Sequence, residues 1–493
     1  MRAEDVRGVD GVQGPVLRHP LDDDQSGWRA EAAGPAGRLH GRRPGRRARS
    51  GRRHPAPGHP ARRAGGQRVR VRPAQLPQAR EDDGDDAGER QADRGHAVMI
   101  RSALVALLLA AGMPLVSASG AACAGESDFD GDGVADVAVG DPFGDGQKGS
   151  VHVLSGGKVV PVVVPGLARG DAFGWSVRLA KVDGDACADL VIGAPYADVD
   201  GVEDAGAAYV VYGAGSSPPQ RLTAARPQRF ALFGWSLAAR GDLVAIGAPY
   251  EDENRLLDVG ALYVRKGTGE LRRISQESVD VRGNSEVGDQ FGWSMAYGPG
   301  NGLLVGVPYE NDDGLGRQVE DGKIDSGSVV FIDDVLATKL TTVKLDSPTN
   351  ASGDRYGYAV AYADGAGYAV SSPGPGNVQL LDESRKPMRT VTQAGRQASG
   401  FSLATSEDGR LAIGAPYGGG VRVVSWQDAS EERILPTRDG LFGWSVAFSG
   451  NKLFVGQPDA QPYGRVAVTG RNAETPRPLQ PREGADFGVS VAG

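Results

Sequence analysis

Short apolar stretches recur along the chain in a fixed order. A strand that opens with an aromatic residue and Gly is followed, a dozen or more residues later, by an apolar strand that ends in Gly-x-Pro. For example, Phe173-Gly174-Trp175-Ser176 leads to Ile192-Gly193-Ala194-Pro195. One such unit cannot bury its apolar face without a neighbour, so the pattern predicts a closed or stacked β architecture.

Six pairs of this kind are complete, and a seventh is split between the two ends of the chain. The complete pairs begin near residues 173, 233, 291, 356, 400 and 442. The corner Val139-Gly140-Asp141-Pro142 lacks an aromatic strand before it, and Phe487-Gly488-Val489-Ser490 lacks a corner after it. Joined, they complete a seventh unit, and only a ring brings the two ends of a repeat array together.

Two further short strands follow each corner, as at residues 207–212 and 220–222, with Gly and Pro at the junctions. Four strands in each of seven units predict an all-β fold, a seven-bladed β-propeller. One C-terminal strand and three N-terminal strands would share the closing blade. Main-chain hydrogen bonds would then hold the ring shut.

The N-terminal part of the chain has a different composition. Residues 1–98 contain 20 Arg, no Lys and few large apolar residues, and from Met99 a cationic start, an apolar stretch over 102–116 and small residues resemble a signal peptide. We therefore expect an Arg-rich extension at 1–98 that is untranslated or disordered, a signal peptide at 99–124 and the propeller at 125–493. A basic tail for nucleic acid or an acidic surface is the alternative for the extension.

From Met99 onward the chain is acidic, with 34 Lys or Arg against 48 Asp or Glu. This balance disfavours nucleic acid as a partner and suits divalent cations. Beyond the signal region no stretch approaches the ~18 apolar residues of a membrane span. We expect a secreted, extracellular monomer.

The two cysteines leave several outcomes open. Cleavage after Ala118 keeps Cys123 and allows it to pair with Cys187, whereas cleavage after Ala124 leaves Cys187 as a lone thiol. Lipidation of Cys123 is disfavoured, because Gly120 stands where a lipobox usually has Leu.

The repeated aromatic-Gly and Gly-Ala-Pro segments resemble FG-GAP repeats, the units of the propeller of integrin α-subunits and of many secreted bacterial proteins. The resemblance covers residues 128–493. It implies a cation-binding propeller used for adhesion or protein contact, and it does not imply an enzyme. The chain departs from the pattern where Ser371-Ser372-Pro373 forms a corner and where Phe401 follows its Gly.

The strongest local motif is an acidic loop just before the first corner strand. Asp128, Asp130, Asp132 and Asp136 hold positions 1, 3, 5 and 9, Gly stands at position 6, and the carbonyl of Val134 is at position 7. Hard oxygen ligands on a sharply turning loop favour Ca²⁺. The motif predicts a calcium site, and it also resembles the calcium loop of the FG-GAP family.

A degenerate copy of this loop follows at residues 181–189. Asp183, Asp185 and Asp189 hold positions 3, 5 and 9, but Lys181 replaces the first carboxylate and Ala186 replaces the Gly. A protonated lysine cannot ligate a cation, so this second loop is a weak or vestigial site.

The function is less constrained than the fold. Trp175, Trp235, Trp293 and Trp444 share one repeat position; we interpret them as packing residues, although a ligand-stacking ring would indicate a lectin. After Met99 the only histidine is His152, which disfavours a catalytic triad. We expect no catalytic residues and a binding or adhesion module for an unidentified protein or glycan at a cell surface or matrix. A propeller hydrolase acting on glycans or phospholipids is the alternative.

Overall fold

The computed structural model describes residue 123 and residues 125–311, 323–392, 398–417, 420–428, 432–435, 441–470, 477–479 and 484–493. The extension predicted at 1–98 and, apart from Cys123, the signal peptide predicted at 99–124 lie outside the described residues. Within them, no helix is long and apolar enough to cross a membrane.

The described strands pair into seven antiparallel sheets of four strands, which confirms the predicted seven-bladed propeller. Blade 1 contains β1 (Val137–Asp141), β2 (Ser150–Ser155), β3 (Lys158–Val162) and β28 (Ser490–Ala492); blade 2 contains β4 (Ser176–Ala180), β5 (Asp189–Ala194), β6 (Ala207–Val211) and β7 (Gln220–Leu222); blade 3 contains β8 (Leu237–Arg240), β9 (Leu243–Ala248), β10 (Ala261–Lys266) and β11 (Arg272–Ile274).

The remaining blades repeat this order. Blade 4 contains β12 (Ser294–Tyr297), β13 (Leu303–Val307), β14 (Ser328–Ile332) and β15 (Thr342–Asp346); blade 5 contains β16 (Val360–Ala363), β17 (Gly367–Ser372), β18 (Asn377–Leu381) and β19 (Pro387–Thr392); blade 6 contains β20 (Ser402–Thr405), β21 (Arg410–Ala415), β22 (Gly420–Ser425) and β23 (Glu432–Leu435); blade 7 contains β24 (Val446–Ser449), β25 (Lys452–Gln457), β26 (Arg465–Thr469) and β27 (Arg477–Leu479). The described helical segments are single turns at Gly144–Gln147 and Gly213–Gly215.

The two ends of the chain close the ring in blade 1. The C-terminal strand β28 pairs with β1, with Ala492 opposite Ala138 and Val491 opposite Val139. Each blade's first strand contacts the first strands of both neighbouring blades, and this series runs through β28 without interruption. The closure predicted from the unpaired terminal motifs is therefore present.

Neighbouring blades are fastened by a repeated serine-glycine contact. In six blades a serine hydroxyl on or beside the first strand donates to the carbonyl of the aromatic-Gly glycine in the next blade, at 2.6–2.9 Å. One of these bonds, from Ser490 to Gly174, crosses from the closing blade to blade 2. The corner glycine must remain small, because a Cβ at Gly193 would lie 2.0 Å from the Gly234 oxygen and 2.3 Å from Ser176 Oγ.

Blade 5 reverses this arrangement, which explains its unusual corner. Ala359 takes the place of the serine, and Ser371 takes the place of the corner glycine. The Ser371 hydroxyl then accepts the backbone N–H of Ala359 at 2.9 Å. In blade 6 the aromatic position is held by Ser399, and Phe401 occupies the place that Trp175 has in blade 2.

The apolar core lies mainly between the blades. One cluster joins Leu262 and Val264 of blade 3 to Met295 and Leu303 of blade 4. Another joins the closing blade to blade 7, through Val491 and Phe454 among others. Since each sheet buries its faces against its neighbours, no blade is self-sufficient.

A buried carboxyl before blade 4 makes stability depend on pH. Burial and the nearby Glu310 carboxylate raise the pKa of Asp289 from its usual 3.8 to about 9. Between these two pKa values, the folded protein holds a proton that the unfolded chain releases. The contribution of Asp289 to stability therefore falls as the pH rises from 3.8 to about 9. We expect Asp289→Asn to flatten the decline in melting temperature between pH 5 and 9. The exposed substitution Glu270→Gln serves as the control, and a wild-type slope in Asp289→Asn would contradict the assignment.

Candidate metal centre

The acidic loop at 128–136 turns as its glycines permit. Gly131 and Gly133 have φ values of 78° and 82°, a region that residues with a side chain rarely adopt. The turn directs loop N–H groups at the Asp128 carboxylate, which accepts from Gly131 at 2.9 Å and from Gly133 at 3.0 Å. The loop then enters β1 directly after Asp136.

Three of the predicted carboxylates converge. Asp128, Asp130 and Asp136 each offer an oxygen within 4.8 Å of the others. Asp136 is fully buried; its Oδ2 accepts the N–H of Phe129 at 2.8 Å, whereas its Oδ1 is buried without a hydrogen-bond partner. A buried carboxylate oxygen left in this way is costly unless a cation or donor satisfies it.

The pKa of Asp136 also favours a cation in this loop. Burial raises the pKa of Asp136 and the Asp130 carboxylate adds a smaller increase through repulsion, while hydrogen bonding from Ser155 and the loop backbone offsets part of the rise. Both increases come from negative charge held in a poorly solvated place. A divalent cation would relieve them, and an all-oxygen donor set suits Ca²⁺ among the common ions.

One predicted carboxylate, Asp132, is placed differently from the other three. Asp132 Oδ1 accepts the N–H of Val134 at 2.8 Å, and its Oδ2 accepts the Ser155 hydroxyl at 3.2 Å. Asp132 is not part of the group of three converging carboxylates. Ser155 lies in β2, and the loop's own sequence gives no signal for it.

The second loop keeps the turn but satisfies its buried acid internally. Asp189 Oδ2 accepts the N–H of Asp183 at 3.1 Å, and Asp189 Oδ1 accepts the N–H of Gly213 at 2.9 Å. Lys181, at position 1, lies 3.6 Å from the Glu126 carboxylate. Asp136 Oδ1 of the first loop has no hydrogen-bond partner, whereas the equivalent oxygen of the second loop, Asp189 Oδ1, accepts a backbone N–H.

The two loops are tied together across blades 1 and 2. The carbonyls of Asp128 and Phe129 accept the N–H groups of Ala188 and Ala214, each at 2.8 Å. Cys123 and Cys187 form a disulfide with their Cα atoms 5.0 Å apart. This is the pairing outcome among those left open above, and it fixes the segment before the acidic loop to blade 2.

Removing this disulfide is expected to weaken the seam, that is, the contact between blades 1 and 2. The bond joins residues 64 apart, and closing a loop of that length contributes roughly 2–4 kcal/mol. We expect the double variant Cys123→Ser/Cys187→Ser to unfold at a lower denaturant midpoint with an unchanged slope. Reduction of the wild type should produce the same midpoint, and equal midpoints for oxidised and reduced protein would refute the contribution.

The aromatic residues at the equivalent positions of six blades pack against one another in an arc. Consecutive ring centroids are 4.7–5.5 Å apart, and the members are Trp175, Trp235, Trp293, Tyr358, Phe401 and Trp444. Trp235 and Trp293 are each 7% exposed, whereas Trp175 and Trp444 are half-buried. Packing thus accounts for the two central tryptophans, and the outer two retain solvent-facing surface.

With seven blades and the acidic loop in place, the chain can be compared with known proteins. A profile described as FG-GAP repeat matches residues 120–154 and 173–211, and a second profile of the same description matches residues 219–265. The chain carries FG-GAP repeats. The matched residues include the first acidic loop, the second loop and the Ser176–Gly234 contact between blades 2 and 3.

About a third of the chain is similar to integrin α chains. Integrin alpha-PS2 of Drosophila melanogaster is 35% identical over 167 residues, which are 30% of this chain and 12% of that protein. Integrin alpha-7 of Rattus norvegicus is 30% identical over 167 residues, 31% of this chain and 14% of that protein. The similarity thus spans less than a fifth of these relatives. Among solved structures, virginiamycin B lyase from Staphylococcus aureus aligns at 9% identity with a TM-score of 0.45, covering 62% of this chain and 84% of that one.

Proposed function

We propose that this FG-GAP propeller is a secreted, calcium-stabilised binding module that takes part in adhesion or protein contact. The observation that carries the proposal is the acidic loop before β1, where Asp136 holds a buried oxygen without a hydrogen-bond partner. The similarity to integrin α chains, which are adhesion receptors and not enzymes, supports binding as the class of function.

Calcium is assigned to the first loop. Asp128, Asp130 and Asp136 would hold the ion. The ion would place a positive charge next to the buried Asp136 carboxylate. Asp132 and the carbonyl of Val134 complete the predicted ligand set. We assign weaker binding to Asp183, Asp185 and Asp189, because backbone N–H groups already satisfy both oxygens of Asp189.

Secretion is supported by the cysteine chemistry. A structural disulfide persists in oxidising compartments and is rare in the cytosol of mesophiles. Cys123 and Cys187 pair in the folded chain, and the sequence before Cys123 resembles a signal peptide. The signal region at 99–124 would then direct export, with cleavage after Ala118 so that Cys123 is kept.

A capture experiment tests the binding function. We expect the immobilised propeller to retain a defined protein from cell-surface or matrix extracts in Ca²⁺ and to release it on chelation, because calcium orders the seam between blades 1 and 2. Asp130→Asn in the first loop should reduce capture, whereas Asp183→Asn, at the same position of the second loop, should change it less. Turnover of a glycan or phospholipid by the same preparation, without stable capture, would overturn the proposal in favour of a hydrolase.

A further inference from the structure

A fully buried arginine lies at the contact between blades 2 and 3. Arg265 on β10 is 2% exposed and is among the largest fully buried side chains of the described residues. Its Nη1 donates to Gln220 Oε1 at 3.0 Å, but Nε and Nη2 are buried without a hydrogen-bond partner. No carboxylate of the described residues forms an ion pair with it.

The position of Arg265 is normally part of the apolar core. The position is defined by the strand pairing. In each blade, one residue of the third strand lies opposite the second-strand residue that comes three positions before the corner residue, which is Gly in six blades and Ser371 in blade 5. In blade 3 that third-strand residue is Arg265, opposite Val244. The equivalent residues in the other six blades are Leu154, Val211, Ile332, Leu381, Val424 and Thr469. A guanidinium therefore stands where the fold elsewhere holds an uncharged side chain.

The surroundings of Arg265 do not neutralise its charge. The Gln220 amide oxygen accepts from Arg265 and also from the Tyr212 hydroxyl at 3.1 Å, so this neutral acceptor is shared. Arginine cannot shed its proton at accessible pH. An isolated buried charge is strongly destabilising unless an anion compensates it.

The two unpartnered donors also restrict the shape of a group that can bind them. Nε–H and Nη2–H lie on one edge of the guanidinium and point in parallel, the fork with which arginine holds an anion. The fork is buried, which restricts the occupant to a small ion. We propose that Arg265 holds a small inorganic anion of the size of chloride between blades 2 and 3.

Halide-dependent stability tests this proposal. At constant ionic strength and saturating Ca²⁺, replacing methanesulfonate by chloride should raise the melting temperature of the full chain by at least about 2 °C, because a ligand bound only by the folded state stabilises it. Arg265→Met should abolish the dependence and should melt above the wild type in methanesulfonate, since the uncompensated charge is gone. Arg226→Met, at an exposed position, should retain the wild-type response.

A crystal grown in bromide supplies the second readout. The expected result is an anomalous peak within hydrogen-bond distance of Arg265 Nε and Nη2 in the wild type and its loss in Arg265→Met. A water molecule without anomalous signal at that place, or equal chloride dependence in the wild type and Arg265→Met, would overturn the anion site.

Discussion

Deleting residues 484–493 is expected to abolish cooperative folding of the propeller. The deletion removes β28 and, with it, Phe487, which is fully buried. It also removes Val491, which belongs to the same buried apolar cluster as Phe454 of blade 7. Truncating one buried aromatic residue alone costs about 3–5 kcal/mol, a large part of the total stability of a typical domain. The free edge of β1 would also be left without its partner strand.

Differential scanning calorimetry on the truncated chain measures this loss. We expect the single cooperative transition of the full chain to disappear or to move down by more than about 10 °C, which follows from a loss of this size. Trimming residues 1–98 provides the control at the other end and should leave the transition unchanged. Similar effects from the two truncations would show that the ring does not depend on closure in blade 1.

The second large effect is expected from filling one corner glycine. Gly193→Ser places a Cβ where the Gly234 carbonyl oxygen lies 2.0 Å away, and it displaces the Ser176 hydroxyl. Blades 2 and 3 must then separate, which costs at least about 3 kcal/mol from overpacking and the lost hydrogen bond together. The measurement is the free energy of unfolding in urea.

Blade 5 supplies a compensating change for this variant. There Ser371 occupies the corner, and Ala359 leaves room for it. We expect Gly193→Ser/Ser176→Ala to recover part of the loss caused by Gly193→Ser, so that the double variant is more stable than the sum of the single changes predicts. Gly470→Ala, where an added Cβ meets nothing within 4 Å, should be neutral. Additive losses would mean that the clash with Ser176 is not the cause.

The fold could be predicted from the sequence because its signal is repeated. Any one Phe-Gly or Gly-Ala-Pro is weak, but an alternating series with unpaired members at the termini is consistent only with a ring. The acidic loop was predictable for a related reason, since its spacing is contained in nine consecutive residues. Local turn chemistry sufficed to bring Asp128, Asp130 and Asp136 together.

The features that escaped prediction depend on contacts between distant residues. Sequence alone left the pairing of Cys123 with Cys187 open, because it depends on how blade 1 sits against blade 2. The hydrogen bond from the Ser155 hydroxyl to Asp132 also depends on strand pairing. The same holds for the hydrogen bond from the Gly213 N–H to Asp189. Arg265 reads as an ordinary strand residue until the register of β9 and β10 shows it in a core position.

Calcium titration of the chelator-treated protein tests the central claim most directly. Isothermal titration calorimetry should show saturable binding dominated by one site, with a matching rise in melting temperature. Asp130→Asn should lose most of that heat, and Asp183→Asn should keep it. Among the described residues, three carboxylates come together in the first loop, around the buried Asp136 oxygen, and not in the second. Absence of heat and of stabilisation in the wild type, or an unchanged isotherm in Asp130→Asn, would contradict a calcium site in the loop that leads into the closing blade.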